Sequence, residues 1–73
     1  MSILYSSNEV TVYEINNYVF VKFPSSMDRL RRLLYDLGFT FVDISDSGKF
    51  EYWKIWKGYV DVHRLISLIK SLT

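Results

Sequence analysis

The sequence predicts an α+β fold, in which a duplicated ββα unit gives a four-stranded, mainly antiparallel sheet with two helices packed on one face. Three observations predict it: two pairs of β-rich segments joined by short turns, a segment of helical periodicity after each pair, and a partial match between the two halves. The chain has 73 residues and no cysteine. We therefore expect a single domain over residues 1–73, with neither disulfides nor thiolate metal ligands.

The first hairpin is predicted from two β-rich segments, residues 10–15 and 18–23, which flank Asn16 and Asn17. Asparagine tolerates a positive φ, so this two-residue loop favours a type I′ turn. Residues 3–6 could add a further strand at the N-terminal edge of the sheet.

The second hairpin is predicted from residues 39–44 and 50–55. Asp46, Ser47 and Gly48 read as a three-residue loop with the glycine in the left-handed conformation. This turn sets a register with four cross-strand pairs: Ile44 with Phe50, Asp43 with Glu51, Val42 with Tyr52, and Thr40 with Lys54.

Each hairpin leads into a segment with apolar residues at helical spacing. Ser26 is expected to cap the first helix and Gly38 to end it. Asp61 is expected to cap a second helix that continues to the C-terminus. The apolar positions are Met27, Leu30, Leu33, Leu34 and Leu37 in the first helix, and Val62, Leu65, Ile66, Leu68, Ile69 and Leu72 in the second.

The two halves, residues 10–38 and 39–73, align over part of their length. Thr11 matches Thr40, and Lys22 matches Lys54. We interpret this match as an internal pseudo-repeat. The sequence separation between matched residues changes only in loops, where insertions are tolerated.

Alternation along the predicted strands gives the sheet two apolar faces. The first, here called the aromatic face, carries Tyr13, Ile15, Tyr18, Phe20, Val42, Ile44, Phe50, Tyr52 and Trp56, with Thr11, Thr40, Lys22 and Lys54 expected at one end. The second carries Val10, Val12, Val19, Val21, Phe23, Phe39, Phe41, Trp53 and Ile55. We expect the helices to pack on the second face, because its middle holds no hydroxyl or amine.

The two helices would cover one face and leave the aromatic face open. So many exposed aromatic residues exceed what a soluble monomer usually tolerates. The first hypothesis is a homodimer, sheet on sheet, in a small non-enzymatic interaction or regulatory protein that binds another macromolecule. The alternative is a single-stranded nucleic-acid-binding module, with bases stacked on the aromatic rings and phosphates held by Lys22 and Lys54.

Arg29, Arg31 and Arg32 cluster on the first predicted helix and are the candidates for binding a macromolecular partner, with protein favoured over nucleic acid. The short, cysteine-free composition, rich in Tyr, Ser and Ile, resembles in style the accessory proteins or inhibitors of viruses and mobile elements, although no motif supports this. A net charge of +1 argues against a protein that coats nucleic acid by electrostatics alone.

Candidate chemical groups are few. Glu14, Asp43 and Glu51 could hold a divalent cation if they converged, but solvated carboxylates at hairpin tips are the simpler interpretation. His63 has no serine or acid at a spacing that would form a triad. We therefore expect no enzyme activity, no catalytic residue, no metal and no cofactor. No apolar run approaches the roughly 20 residues of a membrane span, so we expect a cytoplasmic protein without membrane association.

Overall fold

Five strands form one open antiparallel sheet in the computed structural model, which describes residues 1–72. The strands are β1 (Ser2–Ser7), β2 (Val10–Ile15), β3 (Tyr18–Pro24), β4 (Thr40–Ile44) and β5 (Phe50–Trp56), and the helices are α1 (Asp28–Leu37) and α2 (Val62–Leu72). A single 3₁₀ turn, Lys57–Tyr59, precedes α2. The α+β class is confirmed. The further edge strand considered for residues 3–6 is present as Ser2–Ser7, which pairs along β2, so the sheet has five strands and the count of four is not confirmed.

The strand order is β1-β2-β3-β5-β4. The two hairpins meet through β3 and β5, so β4 runs parallel to β3 with β5 between them. The N-terminal half carries β1, which has no counterpart in the C-terminal half. The internal duplication is therefore not confirmed by this arrangement.

Both turn predictions are confirmed in their backbone conformations. Asn16 and Asn17 have φ of 50° and 70°, as a type I′ turn requires, and Gly48 has φ of 75°. The loop of the second hairpin is one residue longer than expected. The Ser45 amide donates to the Phe50 carbonyl at 2.8 Å, so the loop consists of residues 46–49.

Two of the residues predicted to bound the helices, Gly38 and Asp61, are confirmed, and the third, Ser26, is not. Gly38 ends α1 in the left-handed conformation with φ of 99°, and Asp61 caps α2 by accepting the Arg64 amide at 3.2 Å. The α2 helix runs to Leu72. The Ser26 cap is wrong: the Met27 amide donates to the Pro24 carbonyl at 2.9 Å, and this turn makes Met27 the N-cap residue, without a side-chain cap.

The core lies between the helices and the face of the sheet that was predicted to hold it. Its buried side chains are Val10, Val12, Val19, Val21, Phe23, Phe39, Trp53 and Ile55 on the sheet side, and Leu30, Leu34, Leu65 and Ile69 from the helices. Phe41 was expected in this set but is 54% exposed. It contacts only the edge of the core, with its ring 6.0 Å from that of Trp53, because β4 is the outermost strand.

A β-bulge at Val42 shifts the register of β4 by one residue. Thr40 pairs with Lys54 as expected, but Asp43 pairs with Tyr52 and Ile44 with Glu51. The predicted pairs Val42–Tyr52, Ile44–Phe50 and Asp43–Glu51 are therefore wrong. An extra residue in an edge strand turns the following side chains onto the other face of the sheet.

Neither helix within the described residues has the length and apolarity that crossing a bilayer requires.

Candidate functional site

The aromatic face lies on the side of the sheet opposite to α1 and α2, and no element within residues 1–72 covers it. Strand pairing places the following predicted residues on it: Tyr13, Ile15, Tyr18, Phe20, Lys22, Phe50, Tyr52, Lys54 and Trp56. Tyr18 and Trp56 are 38% and 46% exposed, and the others are half-buried among one another.

The two lysines lie in the middle of the aromatic face, and the expectation that they lie at one end is wrong. Lys22 is on β3 opposite Tyr52, and Lys54 is on β5 opposite Phe20. Because β3 and β5 are antiparallel, the turn of each hairpin lies beside the open end of the other. The two lysines therefore become diagonal neighbours on adjacent central strands.

Each lysine leans over an aromatic ring, and the two lean in opposite directions. Lys22 Nζ lies 4.7 Å from the centroid of the Phe50 ring, and Lys54 Nζ lies 4.7 Å from that of Tyr18. Phe50 and Tyr18 belong to opposite ends of the face. Neither ammonium forms an ion pair with any described carboxylate, so both positive charges remain available to a ligand.

Tyr13 and Phe20 form a stacked pair on β2 and β3, with ring centroids 5.1 Å apart and planes 5° from parallel. Burial raises the pKa of Tyr13, and the neighbouring Tyr52 raises it further. The Tyr13 phenol is therefore neutral at physiological pH, and its hydroxyl can both donate and accept a hydrogen bond.

A shallow cleft of about 520 Å³ opens on the aromatic face. Tyr13, Phe20 and Tyr52 line one part of it, and the bulged end of β4 with the loop that follows lines the other. The carboxylates of Asp43 and Asp46 belong to this second part.

Asp43 reaches the cleft only because of the bulge. A regular strand would pair it with Glu51 on the core face, whereas the bulge aligns it with Tyr52 on the aromatic face. The sequence marked Asp43 only as a possible cation ligand paired with Glu51, and its place on the aromatic face was missed, since strand propensity does not mark the position of a bulge. The one signal was an aspartate in mid-strand, where aspartate is unfavourable.

Glu51 is not the solvated hairpin-tip carboxylate that the sequence suggested. It is 9% exposed and accepts two hydrogen bonds from the Arg31 guanidinium, at 3.1 and 2.9 Å. The Trp53 indole N–H donates to it at 3.0 Å. The hydrogen bonds from Arg31 are the main reason that the pKa of Glu51 lies below its ordinary value.

The three carboxylates considered together in the sequence are separated in the structure. Glu14 forms an ion pair with Lys57 at 3.5 Å, Glu51 is bound by Arg31, and Asp43 lies at the cleft. Among residues 1–72, no three histidine or acidic side chains converge on a common point. His63 is exposed on α2.

The arginines of α1 have different surroundings. Arg31 binds Glu51, Asp28 at 2.7 Å and the Ser25 carbonyl, and its role there is intramolecular. Arg29 is exposed, and Arg32 forms an exposed ion pair with Asp36 at 3.6 Å. A partner surface on α1 would therefore depend on Arg29 and Arg32.

Comparison with protein-family models, with curated proteins and with solved structures gives no match.

Proposed function

We propose that the protein is a non-enzymatic module that binds single-stranded nucleic acid across the aromatic face. The observation that carries this proposal is the position of Lys22 and Lys54 on the two central strands, each in contact with aromatic rings and neither paired with a described carboxylate. An open sheet that interleaves aromatic rings with cations can bind the bases and the phosphates of a single strand together.

The aromatic residues supply the stacking part of this interaction. Tyr18 and Trp56 are the most exposed rings at one end of the face. Phe50 and Tyr52 lie towards the other end, with ring centroids 4.7 and 5.9 Å from the Lys22 Nζ. Stacking of one base on such a ring contributes roughly 1–3 kcal/mol and tolerates any base.

The lysines supply the electrostatic part, which is small. Two ammonium groups can neutralise about two phosphates, so the affinity is expected to fall with salt at a slope of roughly −1.4, since each phosphate on a single strand contributes about −0.7. A net charge of +1 supports a local contact of this kind rather than a coating of nucleic acid.

A homodimer through the same face is the second candidate. Exposed apolar residues at the margin of the face, Ile3, Val42 and Trp56, favour it. The central lysines oppose it, because a sheet-on-sheet dimer would bury four ammonium groups in one interface. Lysine is depleted from interface cores, and an unpaired buried charge is destabilising by several kcal/mol.

The test is fluorescence anisotropy of labelled single-stranded DNA and RNA oligonucleotides at 50 and 200 mM salt. The double variant Lys22→Gln/Lys54→Gln is expected to weaken binding about tenfold or more and to flatten the salt dependence. The matched control is Lys57→Gln/Lys70→Gln, which removes the same charge away from the aromatic face and should change the affinity less than twofold. Equal losses in the two double variants would show that binding depends on net charge and not on this face.

A further inference from the structure

The cleft that runs from Tyr13, Phe20 and Tyr52 to the bulged end of β4 has a chemistry that differs from the rest of the aromatic face. One part has aromatic walls, from Tyr13, Phe20 and Tyr52, and the other carries the Asp43 and Asp46 carboxylates. An acidic group is unexpected on a surface that binds phosphates, unless it recognises a different part of the ligand.

We infer that this cleft is a subsite for one guanine base of the bound strand, with the Asp43 carboxylate accepting hydrogen bonds from the base. The inference rests on the proposed function and names the base that the same face selects. Single-stranded nucleic acid is commonly read through the Watson–Crick edge of an unstacked base held against aromatic side chains.

Guanine is the base whose Watson–Crick edge fits a carboxylate. Its N1–H and N2–H donors lie side by side, so the two oxygens of one carboxylate can accept both. Adenine and cytosine each offer one amino donor beside a ring-nitrogen acceptor, which a carboxylate repels. Thymine and uracil offer one N–H between two carbonyl acceptors.

Asp43 is positioned to act as this acceptor. Its Oδ1 accepts the Ile44 amide at 2.8 Å, which fixes the orientation of the carboxylate, and no described residue forms an ion pair with it. It stands across the strand pair from Tyr52, whose ring provides a surface for the base. The volume of about 520 Å³ lies within the range of ordinary small-ligand sites.

The flanking charges distinguish a nucleotide from the other ligand that aromatic walls and a carboxylate could bind, a cationic peptide side chain. Lys22 and Lys54 are the strand partners of two residues that line the cleft, Tyr52 and Phe20. Their ammonium groups lie over Phe50 and Tyr18. They would repel a cationic side chain, whereas they match the phosphates that precede and follow a nucleoside. Charge complementarity therefore selects a nucleic-acid strand.

The test compares three labelled nine-nucleotide single strands by fluorescence anisotropy: all thymine, thymine with a central guanine, and thymine with a central inosine. The wild-type protein is expected to bind the guanine strand about tenfold more tightly than the all-thymine strand, the scale of discrimination of one good bidentate contact. Inosine lacks the N2 amino group and should lose most of this preference. Asp43→Asn should abolish the preference while it retains the affinity for the all-thymine strand.

Asp36→Asn is the matched control, because it makes the same charge change on an exposed position of α1 and should keep the guanine preference. Equal affinity of the wild-type protein for all three strands, or a preference that survives Asp43→Asn, would overturn the guanine subsite and leave the proposed function standing. Absence of binding to every strand, with the protein eluting as a dimer, would overturn the proposed function and the subsite with it.

Discussion

At the scale of single residues, the contact with the clearest consequence for stability is the one between Glu51, Arg31 and Trp53. Glu51 lies on the core side of β5 and is bound by a guanidinium and an indole N–H. A buried carboxylate is tolerated only when its charge is paired and its oxygens accept hydrogen bonds. This residue therefore joins α1 to the sheet through a polar contact inside an otherwise apolar layer.

Glu51→Gln is expected to lower the free energy of unfolding by about 1–3 kcal/mol, because it removes the more buried of the two carboxylates that Arg31 binds. Urea unfolding at pH 7 measures this change. Glu9→Gln is the control, since Glu9 is exposed, and it should change the stability by less than about 0.5 kcal/mol. Equal stability of both variants and the wild type would show that the ion pair contributes nothing.

The same pair predicts a pH dependence of stability. Its hydrogen bonds hold the pKa of Glu51 below the ordinary value of 4.5, so the folded state binds fewer protons than the unfolded state in mild acid. The contribution of the ionised carboxylate is complete above about pH 4.5 and is lost as the pH falls through the lower pKa of the folded state. The stability difference between the wild type and Glu51→Gln should therefore shrink in urea titrations from pH 5 to pH 2.

At the scale of elements, local turn chemistry and edge geometry determine how the strands present their side chains. The hairpin of β2 and β3 has a two-residue turn with positive φ at both positions, which fixes the register from Thr11 to Lys22 without a bulge. The strand β4 lies at the edge of the sheet and has a partner strand on one side only, so it accommodates an extra residue at Val42. The β2–β3 hairpin was predicted in detail from Asn16 and Asn17, whereas the bulge in β4 was not predicted.

The type I′ turn gives a prediction for Asn17, which has φ of 70°. Asn17→Gly should raise the free energy of unfolding by about 0.5 kcal/mol, and Asn17→Ala should lower it by about 1 kcal/mol, because a Cβ without a compensating polar group is strained at positive φ. Thermal unfolding of the two variants measures both changes. If the alanine variant were as stable as the glycine variant, the turn would not hold the left-handed conformation in solution.

At the scale of the whole molecule, the notable property is a five-stranded sheet with helices on one side only. The core uses the valine-rich face, and no element within residues 1–72 covers the aromatic face. For its central lysines, contact with water or with a phosphate-bearing ligand is more favourable than burial against the same face of a second copy. This is the physical ground on which the nucleic-acid proposal is preferred to the homodimer.

The molecular mass in solution distinguishes a monomer with a free aromatic face from a homodimer through that face. We expect a monomer of 8.7 kDa by light scattering at micromolar concentration, at both 50 mM and 500 mM salt. A dimer that persists at high salt would mean that apolar contact outweighs the burial of Lys22 and Lys54, and would favour the homodimer over nucleic-acid binding. Phe20→Ala would then be expected to dissociate it.

The sequence by itself determined most of the local structure and the choice of core face. Alternation assigned Val12, Val21 and Trp53 to the interior, the two asparagines and Gly48 placed the turns, and Gly38 and Asp61 bounded the helices, because each of these signals acts within a few residues. It also placed Tyr13, Phe20, Lys22 and Lys54 on one face.

Only the tertiary structure decided how the two hairpins meet, and the candidate site follows from that. Because β3 pairs with β5, the lysines lie at the centre of the face and not at one end. The bulge at Val42 places Asp43 on the aromatic face and not on the core face. The contact of Arg31 with Glu51 joins residues of different elements. Such pairings depend on the packing of distant segments, which periodicity and turn chemistry do not encode, since both describe only the neighbours of a residue along the chain.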